Sequence, residues 1–185
     1  YLVYETRRSR RKLKAIPSSI MLSSSTDLAS WSEPALILDS SSVPFSSYRD
    51  GRDRLSSPQI VACDGRYRLY AGGGVSRLVP GEEDMIAYLL TFEARDITGP
   101  YEAVGSPVIR SAQPDSDYEN MAPGSVRIIP CSDGFAAVEC SRFYDSKERR
   151  MRSAMLLLES RDGIAWSVAD VMQLSAESGW AETLT

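Results

Sequence analysis

Short apolar stretches recur along the chain at residues 20–22, 35–38, 59–63, 67–71, 85–92, 108–109, 126–129, 135–140, 154–158 and 171–174. Gly, Pro, Asp and Ser bound them. Runs of this length between turn residues predict β-strands, whereas an amphipathic helix needs a longer 3,4-spaced pattern. No window of the sequence sustains such a pattern with caps at both ends. The expectation is an all-β chain, built as a sandwich, a barrel or a propeller.

Internal repetition separates these options. Ser25-Thr26-Asp27-Leu28-Ala29-Ser30-Trp31 recurs as Ser160-Arg161-Asp162-Gly163-Ile164-Ala165-Trp166, and Ala94-Arg95-Asp96-Ile97-Thr98-Gly99-Pro100-Tyr101 fills the same slot between them. A second landmark keeps the same beat. Ser57-Pro58-Gln59-Ile60-Val61 precedes Asp64-Gly65, and Ala122-Pro123-Gly124-Ser125-Val126 precedes Asp133-Gly134. Each unit reads as strand, Asp-Gly turn, strand, longer loop, strand, Asp-to-aromatic turn, short outer strand. That is a four-stranded antiparallel meander, the blade of a β-propeller. Each turn Asp is expected to cap backbone N–H groups, and each aromatic to pack between neighbouring blades. Residues 1–50 supply the later strands of one blade, 51–114 a second and 115–175 a third, with another opening at 176. The expectation is one propeller domain over residues 1–185, incomplete, from a ring of about five blades. Open blade edges would then favour self-association.

Composition narrows the chemistry. The chain has no histidine, which excludes a Ser-His-Asp triad, a Cys-His pair and any imidazole ligand within it. The longest apolar run, residues 85–90, is too short for a membrane-spanning helix. A formal net charge of −4 argues against a nucleic-acid protein. The basic run from Arg7 to Lys14 is expected to be a solvated loop between two strands. Three cysteines, Cys63, Cys131 and Cys140, match no zinc pattern and read as small buried hydrophobes. A hairpin around Asp133-Gly134 leaves a Cys131–Cys140 bridge open as an alternative. Gly72-Gly73-Gly74 lacks a following Lys-Ser/Thr and a helix, so it reads as the end of a strand and not as a phosphate loop.

At these motifs the chain resembles the five-bladed propeller glycosidases of glycoside hydrolase families 43 and 32. The segment from Ser57-Pro58-Gln59-Ile60-Val61 through Asp64-Gly65-Arg66-Tyr67-Arg68-Leu69-Tyr70 is similar to their strand–turn–strand signature. Asp96-Ile97-Thr98-Gly99-Pro100-Tyr101-Glu102 and Ser25-Thr26-Asp27-Leu28 with Trp31 are similar to their blade turns. The resemblance implies hydrolysis of a glycosidic bond in an oligo- or polysaccharide by paired carboxylates, with no organic cofactor and no metal. It also implies acids placed before a proline on inner strands, and here the chain departs: Ser57 precedes Pro58 and Ala122 precedes Pro123. The acids could lie outside the chain, neighbouring acids could have taken over, or the propeller could bind carbohydrate or protein without cleaving.

The take-over candidates flank the inner strands. Asp53 is assigned as base or charge stabiliser, because Arg52 and Arg54 favour its ionised form. Glu119 is assigned as proton donor, because Tyr118 and Met121 would partly desolvate it. Arg49, Asp50, Arg54, Asp117, Tyr118 and Asn120 are assigned to substrate, as groups that hydrogen-bond sugar hydroxyls. Asp115 lies in the same loop. Glu139, inside an apolar strand, is expected to point inward and to need a partner such as Arg142 or Arg127.

Overall fold

The structure is a computed structural model that describes residues 1–7, 18–44, 46, 54–74, 88–106, 108–109, 122–145 and 149–174. Every predicted apolar stretch falls on a strand wherever it is described. The strands are β1 (Leu2–Arg7), β2 (Ser18–Ser23), β3 (Ala35–Asp39), β4 (Leu55–Cys63), β5 (Arg66–Gly73), β6 (Tyr88–Ala94), β7 (Glu102–Ala103), β8 (Val108–Ile109), β9 (Ala122–Cys131), β10 (Gly134–Asp145), β11 (Arg150–Ser160) and β12 (Ser167–Leu174). They form three sheets with orders β1-β2-β3, β4-β5-β6-β7 (β8 also pairing β6) and β12-β11-β10-β9. Among the described residues the strands pair antiparallel with strands close in sequence, the meander that the repeat demands.

The chain divides into two compact units, Tyr1–Gly74 with Leu90–Val104, and Val75–Leu89 with Gly105–Thr185. In the first unit, β1 and β2 lie against β4, and Ile20, Leu22, Leu55, Leu69 and Phe92 form its core. In the second, Val126 and Ile128 of β9, Ala137 and Phe143 of β10, and Ala154, Leu156 and Leu158 of β11 bury one face of the sheet. Alternation produces that face: residues two apart on a strand share a side, and the register aligns Ile128, Ala137 and Leu158 in one row.

The turns follow from their residues. Asp64 and Gly65 both take positive φ, 51° and 70°, closing the two-residue β4–β5 hairpin as a primed turn. The second hairpin is shifted by one residue from expectation. Gly134 pairs with Cys131 as the first residue of β10, so Ser132 and Asp133 make the turn. The same register rules out the Cys131–Cys140 bridge: Cys140 pairs with Ser125, well along the hairpin, and none of the three cysteines is in a disulfide. Nor are they fully buried: Cys131 is exposed, and Cys63 and Cys140 are half-buried.

The turn aspartates cap backbone as expected. Asp27 Oδ1 accepts from the N–H groups of Ala29 (2.9 Å) and Ser30 (2.8 Å) and from the Ser25 hydroxyl (3.0 Å). Asp162 repeats this with Ile164, Ala165 and Ser160, and Asp96 with Thr98. The N–H groups of Ser30 and Ala29 hold the Asp27 carboxyl down at about 2 from 3.8. Because the folded value lies below the unfolded one, the stabilisation is full above about 4 and disappears as pH falls through about 2. Between pH 4 and 2 the melting temperature should fall more steeply in the native protein than in Asp27→Asn, and parallel curves would refute this.

The aromatic partners diverge. Tyr101 is buried, its hydroxyl donating to Ile97 O at 3.0 Å, and Trp166 is half-buried. Trp31 is 41% exposed, which corrects the expectation of a ring packed between blades. Tyr101→Ala should therefore cost about 3–4 kcal/mol, as truncations of buried rings do, and Trp31→Ala less than about 1 kcal/mol. Denaturant unfolding of both variants checks the order.

Candidate functional site

The start of β4 is where sequence and structure meet on a polar cluster. Pro58 has no N–H to give the β4–β5 ladder. Pairing accordingly runs from Ser56 opposite Gly72 to Gln59 opposite Tyr70, leaving Ser57 and Pro58 facing Ala71 as a bulge. Within the bulge Ser57 sits at φ 50°, a left-handed conformation that non-glycine residues rarely hold and that gathers at functional sites. Its freed N–H donates to Oε2 of Glu5 on β1 at 3.3 Å. Glu5 is half-buried and pairs with Ile20 within the first sheet.

Ser18 anchors this corner. Its hydroxyl accepts from the Leu55 N–H at 2.7 Å and donates to the Leu55 carbonyl at 2.8 Å, and both residues are buried. The side chain thus does for the first residue of β4 what a neighbouring strand would do. Arg54, one residue earlier, donates its backbone N–H to Ser46 O at 2.9 Å. Arg54 Nε and the Ser56 hydroxyl are both buried without a hydrogen-bond partner. Unsatisfied buried donors are costly, so two in one short segment make it a candidate for binding a polar ligand. One carboxylate, one guanidinium and two hydroxyls thus lie on Glu5 and residues 54–57.

A second proline bulge occurs in the other unit. On β9, Ala122 pairs with Arg142 and Ser125 with Cys140, so Pro123 and Gly124 face Ser141 alone. Among the described residues the bulge thus recurs at both proline landmarks of the repeat, Pro58 and Pro123. Further along the same sheet Glu139 is fully buried between Val126 and Leu156 in the register, inward as expected. Arg127 is not its partner. Arg127 pairs with Val138 on the opposite face, is exposed, and donates Nη1 to Val126 O at 3.0 Å. The Arg142 side chain lies outside the described residues.

Of the site residues assigned from sequence, Arg54 alone is described. Arg49, Asp50, Asp53, Asp117, Tyr118, Glu119 and Asn120 lie outside the described residues, as does Asp115. Glu5, Ser18 and Ser56 were not anticipated. Ser56 carried one signal, its place beside Ser57-Pro58; Glu5 carried none, being 52 residues from its partner. A half-buried ion pair also joins β5 to β6, Arg68 donating to Glu93 with Nε at 3.0 Å. Burial pushes the neighbouring Tyr70 hydroxyl up to about 12. This pair is fully engaged and reads as structure. Among the described residues no group of acids and thiols converges as a metal site requires.

No family model matches the chain, and no curated protein is similar to it. Solved structures are. A thermostable family-43 glycoside hydrolase superposes with a TM-score of 0.56 at 18% identity, over 90% of this chain and 52% of that one. The fold is shared with a family-43 glycoside hydrolase. BT0996, solved as an RGII complex, superposes with a TM-score of 0.63 at 12% identity, over 94% of this chain and 59% of that one. The chain thus spans somewhat more than half the length of these structures. At such identities the likeness concerns architecture: antiparallel sheets of the propeller type, not a set of catalytic residues.

Proposed function

We propose that the chain belongs to a five-bladed propeller, with blades at residues 1–50, 51–114 and 115–175 and a further one from 176, that hydrolyses glycosidic bonds in a glycan. Asp53 serves as base or charge stabiliser and Glu119 as proton donor. Arg49, Asp50, Arg54, Asp117, Tyr118 and Asn120 bind sugar hydroxyls. The observation that carries this reading is the incomplete polar set at the start of β4. Glu5 is turned onto a proline bulge, and Arg54 Nε and the Ser56 hydroxyl lack partners in the same segment. A ligand rich in hydroxyl groups, each both donor and acceptor, would complete that set. The shared fold with a glycoside hydrolase supports the glycan as ligand.

The second reading, a propeller that binds carbohydrate or protein without cleaving, is favoured by one observation. Uncharged Ser57 and Ala122 precede the two prolines. The full-length protein incubated with a panel of plant and microbial polysaccharides, with reducing-end release as readout, decides between them. Release from at least one polymer is expected. Binding to a polymer by affinity electrophoresis, with no release from any, would replace hydrolysis by the second reading.

A further inference from the structure

The sheet β9–β12 has a second polar and aromatic feature at the end opposite its bulge. Antiparallel register places Ala122, Asp145 and Arg150 at one end of the sheet and Cys131, Gly134, Ser160 and Ser167 at the other. At this latter end lies a cavity of about 700 Å³. Phe135 and Trp166, both half-buried, line it together with the exposed side chains of Asp133, Glu159, Arg161 and Ser167. The turn carboxylate of Asp162 is occupied by backbone N–H groups, so it serves the turn.

We propose that this cavity is a second carbohydrate-binding site that takes a short neutral oligosaccharide, apart from the inner-strand starts and independent of hydrolysis. Its volume falls in the range of roughly 300–1,000 Å³ usual for small-molecule sites. The lining selects the ligand class. Two exposed carboxylates oppose an anion, and Arg161 opposes a cation. A neutral ring with an apolar C–H face and outward hydroxyls satisfies all of them: aromatic rings take the face, carboxylates accept, and guanidinium and hydroxyl donate. The equivalent turn of the first unit has the same combination without the charges. A cavity of about 530 Å³ there is lined by Trp31, Tyr1 and the hydroxyls of the turn serines and Thr26. A hollow carrying a Trp thus lies beside two of the three repeated turns, and at Trp31 the ring is left exposed.

The test uses the nitrogen-15-labelled chain, whose three tryptophans give three indole N–H signals. Trp166→Phe assigns the one of interest. It is titrated separately with gluco-, xylo-, arabino- and galacto-trisaccharides, with spermidine and with trigalacturonate. The Trp166 signal should shift saturably with at least one neutral trisaccharide and with neither charged probe. Changing exposed Glu159 and Arg161 together to Ala should weaken that binding by about tenfold or more, through loss of charged hydrogen-bonding groups, at unchanged melting temperature. No shift with any neutral trisaccharide, a shift with spermidine or trigalacturonate instead, or undiminished affinity in the double variant would overturn the proposal. Binding is read without turnover, so a protein that fails to hydrolyse leaves this result standing or falling by itself.

Discussion

Gly134→Ala is expected to be strongly destabilising. Gly134 opens β10 at φ 142°, and a Cβ there would lie 2.4 Å from Ser160 O and 3.0 Å from Arg161 Cα. Both obstacles are backbone, so no rotamer change relieves them. Ser160 is also the residue paired with Phe135 and the start of the Asp162 turn. Movement of its carbonyl would therefore disturb β10, β11 and the turn together. Overpacking of about 1–3 kcal/mol adds to a backbone cost of about 1–3 kcal/mol, so a loss of roughly 3 kcal/mol or more is expected. Gly65→Ala is the control. Gly65 has φ 70° but nothing within 4 Å of a built Cβ, so only the conformational cost of about 1–2 kcal/mol remains. Equal losses in the two variants, measured by denaturant unfolding, would refute the steric account.

The second large effect concerns catalysis. With a substrate identified, Asp53→Asn and Glu119→Gln should each lower kcat by about 10²–10⁴-fold, the range for removal of a positioned acid or base. KM should change little, because the exchanged amides retain shape and hydrogen-bonding capacity. Glu5→Gln is the informative companion. Glu5 is the carboxylate observed at the β4 bulge, and its amide would keep an acceptor for the Ser57 N–H at 3.3 Å. If Asp53→Asn and Glu119→Gln both turn over as the native protein does while Glu5→Gln is silent, the acid of this site is Glu5 and the assignment from sequence is wrong.

How much of this was legible beforehand differs from element to element. Strands were readable because alternation and turn residues are local: the stretches at 59–63 and 67–71 became β4 and β5, and Asp64-Gly65 made the turn between them. The caps of Asp27, Asp96 and Asp162 were readable for the same reason, since each carboxylate bonds residues two or three positions away. Pro58 and Pro123 were legible as a repeated landmark, but the bulges that follow from their missing N–H appear only in the strand register.

The rest came from packing. Trp31 and Tyr101 occupy equivalent turns, yet one is exposed and the other buried, because burial depends on what packs over the turn and not on the turn. Glu139 was legible as inward, but its row with Val126 and Leu156, and the exclusion of Arg127 to the other face, required the register of three strands. Glu5 meets Ser57 across 52 residues, a contact set by the packing of β1 against β4. Which segments extend and that the pattern repeats were written in the residues, and so was each hairpin turn to within one residue, because these rest on backbone preferences within a few positions. Which side chains share a site was settled only when the sheets packed, because that depends on neighbours supplied from elsewhere in the chain.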